Sequence, residues 1–260
     1  MTRVVAITGA SAGIGRAIAM RLARDGASLA ICARRGDRLE TVAKEIIDAG
    51  GTSLAFVADV VQDAEMRAFV DQAVSRWGQL DVMICNAGYG VYGTIDQVPP
   101  EKMKAMMEVN YLGTFNAARA ALPVFRRQNR GHIVIISSIV GQRGVPYVGG
   151  YAATKFAQVG LAESLRAELV GSGIHVTVVY PISTATEFHE VMVRESGFAT
   201  RAAGPRQSAD KVAEAVARAI ERPVPEVYPF RLSKGLAVIN AIAPGLADRI
   251  VKRWGRTPIT

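Results

Sequence analysis

The chain opens with Val4-Val5-Ala6-Ile7-Thr8-Gly9-Ala10-Ser11-Ala12-Gly13-Ile14-Gly15. Apolar residues run without a gap up to Thr8, as in a strand buried on both faces. Gly9, Gly13 and Gly15 then join this strand to an apolar-periodic segment that reads as a helix. Glycine permits a tight turn and lets backbone N–H groups come close to a ligand. The helix start adds unpaired donors and the positive end of its dipole. Such a turn can cradle a pyrophosphate. Its spacing, G-x-x-x-G-x-G, differs from the G-x-G-x-x-G dinucleotide fingerprint. A glycine-rich turn with no ligand is the competing reading for the loop in isolation.

Downstream, the same rhythm repeats. Strands are expected near 3–8, 28–33, 53–57, 80–85, 132–137, 174–180 and 226–230. Helices are expected near 14–25, 37–49, 63–77, 101–129, 151–171, 208–221 and 235–253. Strand, helix, strand in repetition predicts an α/β fold: a Rossmann-like, doubly wound parallel sheet of about seven strands, with helices on both faces and one domain over 1–260. Ligands of that plan sit at the carboxyl ends of the strands. Two stretches fall outside the rhythm: a loop at about 183–206, long enough to be a substrate lid, and a C-terminal extension at about 231–260.

Composition narrows the function classes. Half of the 260 residues are apolar, so a substantial core can be buried. The net charge is +8, but the basic residues are scattered and form no run of five. Nucleic acid is therefore not the expected partner; the charge favours an anionic cofactor or substrate. Cys32 and Cys85 make neither a disulfide framework nor a CxxC metal site, and no metal is expected. A reducing cytoplasm fits. The first strand begins almost at Met1, leaving no room for a signal peptide, and no apolar run reaches spanning length.

Ala33-Arg34-Arg35 ends the second strand, where an acidic residue would hold the ribose 2′-hydroxyl of NAD. A guanidinium there can grip a 2′-phosphate instead, so NADP(H) is preferred over NAD(H), with Arg34 the main contact and Arg35 in support. Arginines that merely solvate the loop are the alternative. Farther on, Tyr151 and Lys155 share a helix face at i,i+4. A free phenol, with a pKa of about 10, is a poor base at neutral pH, and a nearby ammonium lowers that value. Tyr-x-x-x-Lys is weak alone. Its helix follows a strand ending at Ser137-Ser138, so Ser138, Tyr151 and Lys155 can meet at the sheet's carboxyl edge. Asn110 is a poor helix former inside the expected 101–129 helix, with apolar neighbours Val109, Tyr111 and Leu112. It either faces solvent or mends a break beside the site, and the neighbours favour a buried, bonded role.

With these residues in hand, the chain resembles the short-chain dehydrogenases/reductases over about residues 3–230. Five motifs occur in register: Thr8-Gly9-x-x-x-Gly13-Ile14-Gly15, Asp59-Val60, Asn86-Ala87-Gly88, Ser138 and Tyr151-x-x-x-Lys155. The resemblance implies that Gly9, Ser11, Ala12, Gly13, Ile14 and Gly15 hold the cofactor, that Asp59 bonds the adenine amino group and that Val60 flanks the ring. It implies that Asn86, Ala87 and Gly88 line the cofactor and that Asn110 supports a proton-relay water. Ser138 would hold the substrate oxygen, Tyr151 would act as acid or base, and Lys155 would bond the nicotinamide ribose and tune Tyr151. Pro181, Thr184 and Thr186 would meet the nicotinamide end. Ile182 stands where that family has glycine, which is costly if the position needs positive φ.

The implied activity is interconversion of a carbonyl and an alcohol on a small, apolar molecule by a homodimer or homotetramer paired through the helices at 101–129 and 151–171. The rivals are a catalytically silent NADP-binding sensor, which should lack Tyr151 or Lys155, and a sugar-nucleotide epimerase, which would show G-x-x-G-x-x-G. Tyr89, Tyr92, Val145 and Tyr147 are candidates for the substrate cleft. His132 and His175 are expected at the sheet edge opposite the chemistry, and His189 in the long loop after Pro181, solvated in the first reading and touching substrate in the second. For the apolar tail from Leu232 to Trp254, packing on its own sheet ranks first, a subunit contact second and a membrane surface last.

Overall fold

The computed structural model describes residues 2–197, 200–202, 204–254 and 256–258. Residues 198, 199 and 203 of the expected lid, and 255, 259 and 260 of the tail, lie outside the described residues.

Strands β1 (Val4–Thr8), β2 (Ser28–Ala33), β3 (Thr52–Val57), β4 (Val82–Cys85), β5 (Gly131–Ile136) and β6 (Ile174–Val179) pair in parallel with one another and with a short edge strand, Glu226–Val227. This makes a seven-stranded sheet in the order β3-β2-β1-β4-β5-β6-edge. Period-two alternation divides its side chains between two cores. Val5, Ile7, Leu29, Ile31, Ile84 and Val134 point to one layer. There they meet α1 (Gly13–Ala23), α2 (Gly36–Asp48) and, through Val212 and Val216, α8 (Ala209–Glu221). Ala6, Cys32, Met83, Ile133 and Val178 point to the other. That layer holds α3 (Asp63–Trp77), α5 (Gly113–Gln128) and α6 (Gly149–Glu168). Both faces of the central strands are covered, which is why β1, β2, β4 and β5 read as apolar runs, whereas β3 and the Glu226–Val227 edge are partly exposed. Cys32 and Cys85 are buried free thiols, and burial pushes Cys85 up to about 12 and Cys32 higher still.

Strand order reverses between β1 and β4, opening a crevice at their carboxyl ends. Three elements differ from the sequence expectation. The segment 101–129 is not one helix: α4 (Pro100–Met107) passes through a π-turn at Glu108–Leu112 into α5. Inside the 183–206 loop lies a helix, α7 (Phe188–Ser196), preceded by a pairing of Thr184–Ala185 with Gln207–Ser208. The tail is two helices, α9 (Ser233–Ile242) and α10 (Pro244–Trp254), because Pro244 cannot donate to the preceding turn. Its polar ties run to the loop before α6 rather than to the sheet. Arg143 donates to Asn240 Oδ1 at 3.0 Å and to Asp248, and Asn240 donates to the carbonyl of Gln142 at 3.1 Å. Leu232, Val238, Ile242 and Leu246 remain exposed. Among the described residues no helix is long and apolar enough to cross a membrane.

Candidate active site

Gly9 and Gly13 take φ of +66° and +57°, in the left-handed region that side chains avoid. Space is as restrictive as backbone angle. A Cβ on Gly9 would lie 2.7 Å from Ala87 Cα, and one on Gly15 would lie 2.4 Å from the Gly9 carbonyl oxygen. Asn86 locks this turn from below. Its amide donates to the carbonyls of Thr8 and Gly9 at 2.9 and 3.0 Å, while its own N–H and that of Ala87 donate to Thr8 Oγ1. At the start of α1, Ala12 offers no side-chain cap and the first turn carries no acidic residue. Backbone donors therefore face a cavity with nothing anionic on the helix to compete for them.

That cavity, of about 370 Å³, runs along the strand ends. Gly9, Ser11, Ala12, Gly13, Ile14, Arg34, Arg35, Asp59, Val60, Asn86, Ala87 and Gly88 line it, together with Ser138, Tyr151, Lys155, Pro181, Thr184 and Thr186. Of the catalytic and cofactor residues expected from the sequence, Gly15 and Asn110 do not line it. Gly15 sits beneath the turn. Asn110 is 0% exposed at the π-turn, where Oδ1 accepts from the Tyr89 N–H at 2.9 Å and Nδ2 donates to the Tyr89 carbonyl at 2.8 Å and Thr154 Oγ1 at 2.9 Å. Its side chain ties the π-turn to Tyr89 and to α6, holding the wall rather than facing the cavity.

Tyr151 lies in the first turn of α6, with its ring 5.5 Å from Phe188 on α7. Lys155 is one turn on, its Nζ 5.6 Å from the Tyr151 ring centroid. Nζ donates to the Ile136 carbonyl at 2.9 Å and to Gln158 Oε1 at 3.0 Å, and burial lowers the ammonium to about 7. Ser138 caps a short 3-10 turn; Oγ accepts from the Val140 N–H and donates to the Pro181 carbonyl at 3.4 Å, a bond long enough to exchange for a ligand. Asp59 Oδ1 accepts from the Val61 N–H at 3.1 Å. Val60 is held over α5 by Asn116, which donates to its carbonyl at 3.0 Å.

The arginines divide their work differently from the expectation. Arg35 donates to Ser11 Oγ at 3.2 Å and to Glu187 at 2.6 Å, and Arg38 also reaches Glu187 at 2.6 Å. Arg34 lines the cavity with no ion pair among the described residues. In the loop after β6, Ile182 is not among the described residues with positive φ, so it stands there without left-handed strain. Thr184 is buried and its hydroxyl is committed, donating to the Ile182 carbonyl at 2.8 Å and accepting from Gln207. Thr186 packs against the glycine turn, its Cβ 3.4 Å from where a Gly13 Cβ would stand.

Several contributors carry no local sequence signal. Gln158 and Glu187 meet partners far along the chain. His189 is not a solvated loop histidine: it lines the cavity from α7, with Nδ1 2.8 Å from the Tyr92 hydroxyl and Nε2 3.0 Å from Ser183 Oγ. Tyr89 lines the cavity, whereas Tyr92 packs behind it with Val140, Val148, Ala152 and Met192. Val145 and Tyr147 border a separate groove against α10. His132 is buried, 2.8 Å from Thr177 Oγ1, and burial lowers it to about 3. Among the described residues no three His, Cys, Asp or Glu side chains gather as a metal site.

Residues 3–196 match the family model described as short chain dehydrogenase. An uncharacterized oxidoreductase of Listeria monocytogenes is 33% identical over 85% of this chain and 91% of its own length. The 3-oxoacyl-acyl-carrier-protein reductase FabG of Staphylococcus aureus is 37% identical over 70% of this chain and 74% of its own. Among solved structures, an alcohol dehydrogenase of Thermococcus sibiricus complexed with 5-hydroxy-NADP is 32% identical, with a TM-score of 0.77 over 88% of this chain and 96% of that one. A short-chain dehydrogenase/reductase of Burkholderia phymatum in complex with NAD is 22% identical with a TM-score of 0.85 over 94% of this chain and 95% of that one, and shares the fold. A family match over three quarters of the chain, joined to relatives above 30% identity, makes this protein a member of the short-chain dehydrogenase/reductase family of NAD(P)-dependent oxidoreductases.

Proposed function

We propose that the protein interconverts a carbonyl and an alcohol on an apolar small molecule with NADP(H), in preference to NAD(H). One observation carries the reading: Ser138, Tyr151 and Lys155 line the same cavity as the glycine turn and Arg34. The dinucleotide fits the residues present. Positive-φ glycines and the uncapped start of α1 suit a pyrophosphate. Asp59 and Val60 suit the adenine, and Arg34 suits a 2′-phosphate. The neighbours' complexes include both an NADP derivative and NAD, so the preference rests on Arg34 and on Ala33, which stands where an acidic residue would serve NAD.

When bound, the nicotinamide supplies or accepts the hydride. Ser138 trades its long bond to Pro181 for the substrate oxygen and fixes its position. Tyr151 gives its proton to that oxygen in reduction and takes it back in oxidation. Lys155, charged, favours the phenolate and presents an N–H to the ribose. Ile139, Val140, Val148, Phe188 and Met192 give the substrate end an apolar lining, which disfavours a sugar. Both Tyr151 and Lys155 are in place, so a silent sensor has no support. Exposed Leu112, Phe115 and Phe156, around α5 and α6, suit pairing of subunits into a homo-oligomer.

A panel of apolar ketones, aldehydes and alcohols, followed at the absorbance of the reduced nicotinamide, tests this reading. Turnover with NADPH at least about tenfold above NADH, as loss of a paired guanidinium–phosphate contact implies, is expected. Equal or better use of NADH overturns the cofactor assignment, and no turnover across the panel overturns the reaction.

A further inference from the structure

Lys155 is 3% exposed, and an ammonium has three N–H donors and no acceptor. The protein supplies two partners, the Ile136 carbonyl and Gln158 Oε1. The polar side chains of its bonded network are neutral: Tyr151, Thr154 and Gln158 on α6, Asn110 on the π-turn, Thr114 on α5, and Ser137 after β5, which donates to the Lys155 carbonyl. No carboxylate among the described residues accepts from it, and burial lowers it unopposed.

Gln158 is itself 0% exposed. Its Nε2 donates to the Asn110 carbonyl at 2.8 Å and to Thr114 Oγ1 at 2.7 Å, while that hydroxyl donates to the same carbonyl at 2.7 Å. This pattern settles the amide's orientation. Turned over, it would set NH2 against the ammonium and oxygen against the Asn110 carbonyl. The rest of this α6 face is apolar, with Val159, Ala162 and Leu165. A buried amide there is costly unless its bonds are made, and each of them leads to Lys155 or to the π-turn.

We propose that Gln158 is a positioning residue: it bridges the Lys155 ammonium to the Asn110 carbonyl and leaves the third N–H of Lys155 for the cavity. The amide has no second protonation state near neutral pH. The inference rests on the role given to Lys155 above, but its test does not need turnover.

Protein labelled with 13C at lysine Cε is titrated by NMR, with the Lys155 resonance identified by its loss in Lys155→Met. Gln158→Met removes an acceptor from the charged form and lowers the Lys155 midpoint by about one pH unit. Gln158→Glu places a carboxylate about as close as the present oxygen and raises it by about one unit or more. A packing role alone lowers the melting temperature of Gln158→Met and leaves its Lys155 midpoint unmoved, while Gln158→Glu serves as the control that the position is within reach of Nζ. A Gln158→Met midpoint within about 0.2 units of the parent, well below the effect of one charge-assisted bond, overturns the proposal. Should Gln158→Met fail to fold, Gln158→Leu is read in the same way. The alkaline limb of carbonyl reduction should move with the titration. A limb that stays while the titration moves leaves Gln158 as positioned and rejects the role of Lys155 in turnover.

Discussion

Lys155 shows how a single side chain can be legible in one respect and hidden in another. Its spacing from Tyr151 puts both on one face of α6, and they are found in one cavity. The sequence expectation was a plain cation that makes the phenol acidic. Burial instead brings the ammonium from 10.5 to about 7. The sign of the effect on stability follows. Between pH 7 and 10.5 the unfolded chain binds the extra proton, so this group makes the fold more stable as pH rises and is costly at pH 7 and below. Lys155→Met removes that dependence. Urea unfolding at pH 7 and pH 9.5 should show the variant gaining on the parent at the lower pH, with the difference shrinking at the higher one. A difference that does not change with pH contradicts the buried charge. Arg35 and Glu187 make the complementary point: an expected phosphate ligand is already paired across the mouth of the cavity, by a contact between residues 152 positions apart.

At the scale of elements, the glycine turn is the clearest joint between sequence and site. Gly15 touches no ligand space, yet a Cβ there would lie 2.4 Å from the Gly9 oxygen and 2.5 Å from Asn86 Nδ2. Gly15→Ala should therefore push the turn apart, costing about 1–3 kcal/mol of stability and weakening NADPH at least about tenfold. Thermal unfolding and cofactor titration measure the two losses. An unchanged affinity would detach the turn from cofactor binding. The central strands were legible because β1, β2, β4 and β5 are buried on both faces, as in a covered parallel sheet. The π-turn was half legible, since Asn110 pointed to a break without giving its form. Helix α7 was not legible, because its apolar contacts, such as Met192 against Tyr151 and Gly90, come from distant segments and leave a weak local period. Gln158 was missed, and the pairing of Tyr92 with His189 was not foreseen, for the same reason: these hydrogen bonds span 44 to 97 positions, and no spacing rule reports them.

Across the whole molecule, the sheet's carboxyl edge gathers the chemistry while the C-terminal helices brace one flank of it. Arg143, four residues before Tyr147 and on the loop leading to α6, carries that brace through Asn240 and Asp248. Arg143→Ala should release α9 and α10. Limited proteolysis within 231–254 should become several-fold faster, while the main unfolding transition moves by less than about 4 °C, the shift that roughly 1 kcal/mol gives at this size. Unchanged proteolysis would show that the apolar contacts of these helices suffice without Arg143.

The central claim is that Tyr151 moves the proton in a cavity built to hold the dinucleotide, and Tyr151→Phe tests it most directly. The phenyl ring keeps the packing against Phe188 and removes only the hydroxyl. Turnover of the best substrate from the panel should fall at least about a thousandfold, the scale of a lost general acid, while NADPH affinity stays within about threefold of the parent. Turnover near the parental rate would contradict the account.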